Sequence, residues 1–349
     1  MTETETLPVK EKLTYKDFAP KQDVKWCPGC GDYSILKQTQ AIFPDLGIEK
    51  QDFVFISGIG CSSRFTYYMD TYGMHSIHGR ATAVASGLKA SRPELSVWIV
   101  TGDGDALSIG GNHFIHILRR NFDVNLLMFN NQIYGLTKGQ YSPTSETGIV
   151  TKSTPFGSID HPFNPIELAL GAKSTFTART LDRDPKHMQV ILKEAHYHKG
   201  TSFVEIYQNC PVFNDAIFFK FSDKETKKES ALFVEHGKPL IYGMNEEKGI
   251  KLDGYKPVIV NLNENGNSLN DLWIHDVNDK MKANILASFQ DIDIKEGEDQ
   301  FPRPFGVFYK EDKSTYEDDL NSQIESVIQK KGKSDLNKIL SGGKTWEIL

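Results

Sequence analysis

Residues 97–105 read Val97-Trp98-Ile99-Val100-Thr101-Gly102-Asp103-Gly104-Asp105. An apolar, β-branched run that stops at Gly-Asp-Gly-Asp and passes into a helical pattern over residues 106–119 predicts a buried strand, a tight turn and a helix start. Two glycines let backbone approach a ligand closely, and the free N–H groups at a helix start suit a phosphate. A carboxylate beside a phosphate needs a bridging cation. Mg²⁺ takes oxygen ligands at about 2.0–2.1 Å and binds through few carboxylates plus substrate phosphates. The next apolar run, residues 124–129, ends in Asn130-Asn131-Gln132-Ile133-Tyr134-Gly135, and Asn131 lies 28 residues after Asp103. That is the length of a helical crossover to a neighbouring strand. The Asn131 amide oxygen can then meet the Asp103 carboxylate at adjacent strand ends, with the Ile133 carbonyl completing the protein's share of an octahedron. Each piece alone reads as an ordinary turn; the pair at this spacing favours a site.

Outward from these loops the same alternation recurs. Residues 53–57 and 202–207 are further strand candidates, and residues 33–42, 81–90 and 185–198 have helical patterns. Strands alternating with helices of this size predict an α/β fold with a parallel sheet flanked by helices. Ligands of such sheets sit outside the carboxyl ends of the strands. Residues 1–24 lack apolar periodicity and read as an N-terminal arm, mobile or held by a partner. Residues 25–210 form the motif-bearing domain. Residues 211–349 read as a smaller C-terminal extension, α+β or partly irregular. It has a charged run over 220–229, a largely polar stretch over 311–334 and short strands at 257–262 and 305–309.

The chain has 349 residues, enough for about two domains. With 40 basic and 46 acidic side chains its net charge is −6, so nothing draws it broadly to nucleic acid or anionic lipid. No apolar run approaches the roughly 20 residues of a membrane helix. The start, Met1-Thr2-Glu3-Thr4-Glu5-Thr6, is unlike a secretory or transit peptide. A cytoplasmic protein without nucleic-acid or membrane partners is expected.

Four cysteines, Cys27, Cys30, Cys61 and Cys210, carry the next constraint. Cys27-Pro28-Gly29-Cys30 is a two-ligand hook that fits zinc, an iron–sulfur cluster or a redox pair. A redox pair leaves Cys61 and Cys210 without a use, and structural zinc usually takes two local pairs. Both single cysteines follow strand candidates and can converge at one sheet edge. Four thiolates are the count for one [4Fe–4S] cluster, with unrelated buried thiols as the bland alternative. Cys61 sits in Gly58-Ile59-Gly60-Cys61-Ser62-Ser63-Arg64, which imitates a dinucleotide fingerprint. Ser63, however, replaces the third glycine, and no acidic residue follows about 20 positions on. The loop reads instead as folded against a bulky group, which makes the cysteine site a neighbour of the phosphate pocket.

The Asp103/Asn131 pair resembles the diphosphate-binding motif of thiamine-diphosphate enzymes. The whole set is W-C-P-G-C-G-D (26–32), G-I-G-C-S-S-R (58–64), H-G-R (78–80), G-D-G-D (102–105), N-N-Q-I-Y-G-L-T-K-G-Q (130–140) and Y-Q-N-C-P (207–211). It resembles the β subunit of 2-oxoacid:ferredoxin oxidoreductases, with the 2-oxoglutarate type closest, over residues 24–220. The resemblance implies a thiamine-diphosphate-binding fold with Asp103, Asn131 and the Ile133 carbonyl as Mg²⁺ ligands. It implies that Ile59, Gly60, Cys61, Ser62, His78, Gly104, Asp105, Gly135 and Leu136 lie against thiamine diphosphate. It places Cys27, Cys30, Cys61 and Cys210 on a [4Fe–4S] cluster. Arg64 and Lys138 become candidates for the substrate carboxylates, with ordinary surface cations as the plain alternative. His113 and His116 read as packing histidines rather than a metal pair.

The implied reaction is oxidative decarboxylation of a 2-oxo acid with CoA to acyl-CoA and CO₂, with electrons passing to ferredoxin. Decarboxylation on thiamine leaves an electron-rich product that a nearby one-electron acceptor drains. One thiamine module is present, so an α subunit is expected to bring the pyrimidine-binding domain and its glutamate. The alternatives are a non-redox thiamine enzyme of acetolactate-synthase type, with zinc or nothing on the cysteines, and a non-catalytic scaffold subunit.

Overall fold

Alternate residues of the apolar runs belong to opposite faces, and this period of two builds the layers. In the computed structural model, which describes residues 13–264, 266–292, 300–342, 346 and 348, β1 (Phe53–Ser57) is buried along its whole length. Phe53 and Phe55 pack into one core and Val54 and Ile56 into the other. Following it are β2 (Tyr72–His75), β3 (Ser96–Gly102) and β4 (Val124–Asn130), then a small hairpin of β5 (Ile133–Tyr134) and β6 (Gln140–Tyr141). Next come β7 (Phe176–Leu181), β8 (Thr201–Tyr207), β9 (Ala231–Val234), β10 (Ile241–Tyr242), β11 (Lys248–Asp253), β12 (Lys256–Asn261) and β13 (Arg303–Lys310). The main sheet has eight strands in the order β2-β1-β3-β4-β8-β7-β13-β9. The first six run parallel; β13 runs antiparallel to β7 and parallel to β9.

Helices α1 (Asp32–Ile42) and α2 (Phe65–Tyr68) cover one face. Helix α3 (Ala81–Ser91) covers the other, and α4 (Asp103–Leu107) and α5 (Gly111–Arg120) follow β3. The single helix expected over 106–119 is therefore broken, and Asp103 already lies in its first turn. At the break the chain packs closely: a Cβ on Gly110 would stand 2.3 Å from the Asp105 carbonyl oxygen, so only glycine fits there, and the helix restarts at Gly111. Helices α6 (Pro165–Gly171) and α7 (Pro185–Tyr197) start from Asn164 and Asp184, whose side chains accept from backbone N–H groups.

Strands β2 and β7 escaped the sequence reading. Strand β2 is a short, mostly exposed edge. Strand β7 is fully buried but carries Thr177, Arg179 and Thr180. Arg179 is tolerated because its Nε donates to Glu205 Oε2 on the neighbouring β8 at 2.6 Å, both side chains being inaccessible. Such pairing across strands cannot be seen in either strand alone.

The extension contributes to the same sheet: β9 and β13 lengthen it, while β10, β11 and β12 form a separate antiparallel sheet. The 220–229 run contains α8 (Lys227–Ser230). Helix α9 (Lys280–Ala287) packs on β13, and the polar 311–334 stretch forms α10 (Tyr316–Lys331), with α11 (Leu336–Ser341) beyond. Of the N-terminal arm, residues 1–12 lie outside the described residues. From residue 13 on the arm is held: Phe18 is fully buried, with its ring 5.4 Å from Phe43 and 5.9 Å from Phe53. Among the described residues no helix is long and apolar enough to cross a membrane.

Phe18→Ala is expected to lower stability by about 3–5 kcal/mol, as loss of a buried aromatic does. Urea unfolding followed by tryptophan fluorescence measures it; an unchanged midpoint would mark the arm as dispensable.

Candidate functional site

The sheet order brings the carboxyl ends of β1, β3, β4 and β8 side by side, so the loops after them meet. Between them lies a cavity of about 560 Å³. Ile59, Gly60, Cys61 and Ser62 line it from the loop after β1, and His78 from the turn before α3. Asp103, Gly104 and Asp105 line it from α4, and Asn131, Ile133, Gly135 and Leu136 from the segment after β4.

Asp105 ties these loops together. Its Oδ1 accepts from the backbone N–H of Ile59 (3.1 Å) and Gly79 (2.7 Å) and lies 2.6 Å from His78 Nδ1, while Oδ2 accepts from Thr101 Oγ1 at 2.6 Å. A buried carboxylate is stable only when its lone pairs are so engaged. Asp105 therefore lines the cavity but acts mainly as the anchor of its walls. Gly58 must be glycine, since a Cβ there would stand 1.8 Å from Asp105 Oδ2.

Asp103 is buried, and its Oδ2 accepts from the hydroxyls of Ser142 and Thr144, the latter at 2.6 Å. Burial pushes its carboxyl up to about 6, against the pull of those hydroxyls. A nearby divalent cation would hold it ionised. Asn131 stands across the same cavity. Its Oδ1 accepts from the Ile133 N–H at 3.1 Å and its Nδ2 donates to Gln208 Oε1 at 2.7 Å. Tyr134 donates through its hydroxyl to the Gly104 carbonyl at 3.1 Å and fastens the β5–β6 hairpin to α4. The chemistry of this donor set, a buried carboxylate and an amide oxygen beside backbone, fits Mg²⁺ with a diphosphate.

A second cavity of about 320 Å³ is lined by all four cysteines. All are free thiols, and Cys27 is exposed. Cys30 donates its N–H to the Cys27 carbonyl at 3.0 Å in the hook's turn. The Trp26 indole N–H donates to the Cys61 carbonyl at 2.7 Å and binds the hook to the loop after β1. A Cβ placed on Gly135 would lie 3.6 Å from Cys61 Sγ and 3.7 Å from Cys210 Sγ, so both sulfurs face one point of the wall. Burial pushes the Cys61 thiol up to about 12, with Asp32 and then Cys210 and Cys27 adding to it, and raises Cys30 further. Among the described residues no group of three or more His, Cys, Asp or Glu side chains is placed to hold a single metal ion. Four sulfurs spread around one cavity suit a larger, multinuclear group.

Asn131, Cys61, Gly135, Leu136 and Gln208 line both cavities, which therefore share a wall. Arg64 and Lys138 line only the cysteine cavity. His113 is half-buried and His116 exposed, away from both. The sequence reading missed Ser142, Thr144, Asp32 and Gln208. Asp32 is buried at the start of α1, lines the larger cavity and has its carboxylate beside the Cys30 thiol. Burial raises it to about 7, with Asp182 adding to the effect. Its place directly after the Cys27–Cys30 hook was the available signal, as was that of Gln208 between a strand and Cys210; nothing local marks Ser142 or Thr144.

A family model described as "Thiamine pyrophosphate enzyme, C-terminal TPP binding domain" matches residues 58–206. The chain is similar to 2-oxoglutarate oxidoreductase subunit KorB of Mycobacterium tuberculosis, 48% identical over 95% of this chain and 88% of that protein. It is also similar to the 2-oxoacid:ferredoxin oxidoreductase subunit beta of Saccharolobus solfataricus, 35% identical over 87% of each. Among solved structures it resembles a 2-oxoglutarate:ferredoxin oxidoreductase from Magnetococcus marinus with 2-oxoglutarate, coenzyme A and succinyl-CoA bound. That likeness has a TM-score of 0.74 at 31% identity and covers 98% of this chain and 99% of that one.

Gly58→Ala is expected to abolish saturable binding of thiamine diphosphate with Mg²⁺ in calorimetry while the chain still folds by circular dichroism. Wild-type affinity would show that Asp105 does not hold the loop.

Proposed function

This chain belongs to the family of 2-oxoacid:ferredoxin oxidoreductase β subunits, and from that premise we propose how its residues divide the work. The chain is the thiamine-diphosphate-binding subunit of an enzyme that oxidatively decarboxylates a 2-oxo acid with CoA to acyl-CoA and CO₂. We assign 2-oxoglutarate as the substrate, because the relative at 48% identity and the solved relative both carry that name. Thiamine diphosphate supplies the nucleophilic carbon and a four-cysteine [4Fe–4S] cluster the one-electron acceptor.

The observation that carries this division is the wall common to the two cavities. Asp103, Asn131 and the Ile133 carbonyl would hold Mg²⁺. Ser142 and Thr144 keep the Asp103 carboxylate oriented. Cys27, Cys30, Cys61 and Cys210 would hold the cluster, and because all four are engaged there, the electrons leave to a separate carrier, ferredoxin. A non-redox enzyme of acetolactate-synthase type leaves the four-cysteine cavity without a use.

Among the described residues no glutamate lines the thiamine cavity. Ile77, Ile109 and Leu136 are exposed at or beside its mouth. Both features fit an α subunit that covers the opening and brings the glutamate. We keep Arg64 and Lys138 as the proposed partners of the substrate carboxylates. Neither side chain makes an ion pair among the described residues, and both stand beside Leu136 of the shared wall.

Co-expressed with its α subunit and purified without oxygen, the protein is expected to be brown. It should carry about four iron atoms per β chain, as one [4Fe–4S] cluster requires, and be bleached by 2-oxoglutarate. A colourless, iron-free and active complex would sink the redox reading. Asp103→Ala should weaken thiamine diphosphate with Mg²⁺ by about 2–5 kcal/mol, as truncating a buried charged partner does, while leaving the iron content intact. Iron analysis and calorimetry on the same sample separate the two effects.

A further inference from the structure

Gln208 follows β8 directly, is buried, and is one of the five residues that line both cavities. Its Nε2 donates to the Asn209 carbonyl at 2.6 Å and to Cys30 Sγ at 3.2 Å, and its Oε1 accepts from Asn131 Nδ2 at 2.7 Å. The orientation of this amide is dictated by chemistry. The Asn209 carbonyl can only accept, so the nitrogen of Gln208 must face it, and the oxygen must face Asn131. The end of Asn131 that meets Gln208 is then its nitrogen. The Asn131 oxygen is turned the other way, where it accepts from the Ile133 N–H at 3.1 Å and has a lone pair left for a cation. One backbone carbonyl thus sets two amides in series. The second hydrogen of Nε2 lies on a cysteine sulfur.

We infer that Gln208 is a positioning residue for both centres: it presents the Asn131 oxygen to the metal of the thiamine site, and its N–H···S bond to Cys30 raises the reduction potential of the cluster. This rests on the cysteine cavity holding a cluster, as proposed above. Reduction adds negative charge to the cluster and its sulfurs, and an N–H donor stabilises that charge; hydrogen bonds to the sulfurs are among the features that set such potentials. Outer partners of a metal ligand are typically worth about 10–100-fold in metal affinity. The same amide serves both because β8 ends between β4 and the cysteine hook.

The test uses the complex with its α subunit and two variants. In Gln208→Leu all three side-chain hydrogen bonds are lost. Redox titration followed by electron paramagnetic resonance should show the reduction equilibrium shifted about tenfold toward the oxidised cluster, about 59 mV for one electron. Calorimetry should show Mg²⁺-dependent thiamine diphosphate binding weakened about 10-fold or more. In Gln208→Glu the donor to sulfur is gone, while one oxygen of a protonated carboxyl still accepts from Asn131 and the other donates to the Asn209 carbonyl. Affinity should then stay near wild type and the potential should fall. A wild-type potential in either variant that loads iron overturns the inference, as does a Gln208→Glu variant that loses as much thiamine affinity as Gln208→Leu. Iron measured in the wild-type complex separates this from the parent reading: without iron the cluster assignment fails, whereas with iron and unmoved potentials only the role of Gln208 fails.

Discussion

The Asp105 carboxylate is the constraint on which the site depends. It is buried at the start of α4 and takes bonds from the loop after β1, from the turn before α3 and from Thr101 of β3. A carboxylate so desolvated would be costly without those donors. With them it holds three separate chain segments at one point. The loops that line the thiamine cavity therefore start from fixed roots, and no side chain larger than hydrogen fits at Gly58. The carboxylate two residues earlier, Asp103, is left facing the cavity with hydroxyl partners on one oxygen. Two acids on one short turn thus have different tasks because their surroundings differ.

Behind this arrangement a polar network runs through the sheet. Arg179 of β7 pairs with Glu205 of β8, and Glu205 Oε1 accepts from Asn130 Nδ2 of β4 at 2.7 Å. The Thr144 hydroxyl lies 2.9 Å from Asn130 Oδ1 and 2.6 Å from Asp103 Oδ2. Buried polar groups joined in this way have little freedom to shift singly. The Asp103 end of the site thereby inherits the rigidity of the sheet centre. On the other side the wall shared with the cysteine cavity is thin: Asn131, Gly135 and Gln208 separate the place where an electron-rich carbon would form from the sulfurs that would lead its electrons away. That closeness is what a one-electron oxidation of a carbon centre requires.

Much of this was legible from local patterns. Strand β1 runs from Phe53 to Ser57 as expected, and β3, β4 and β8 deviate by a residue or two, because buried parallel strands read as largely apolar runs. The loops were legible because glycine, aspartate and asparagine directly after such strands have few other reasons to occur together. Strand β7 was not legible, because Arg179 interrupts its apolar pattern and its partner Glu205 lies in another strand. The packed part of the arm was hidden as well, since one buried phenylalanine in a polar stretch gives no period.

From its own order of residues the chain determines the layered α/β architecture and the motif loops at the strand ends, and the resemblance those motifs carry names twelve of the residues that line the larger cavity. The architecture and the loops follow from periodicity and from the backbone needs of short segments, whereas the residue set follows from the resemblance alone. The tertiary structure alone decided which carboxylate anchors and which one faces the cavity, that Arg64 and Lys138 stand on the cysteine side, and that Gln208 links the two cavities. These are properties of hydrogen-bond partners brought from distant positions, Asp105 with Ile59 and Gln208 with Cys30. A partner that lies 46 or 178 residues away leaves no trace in the local pattern of either residue.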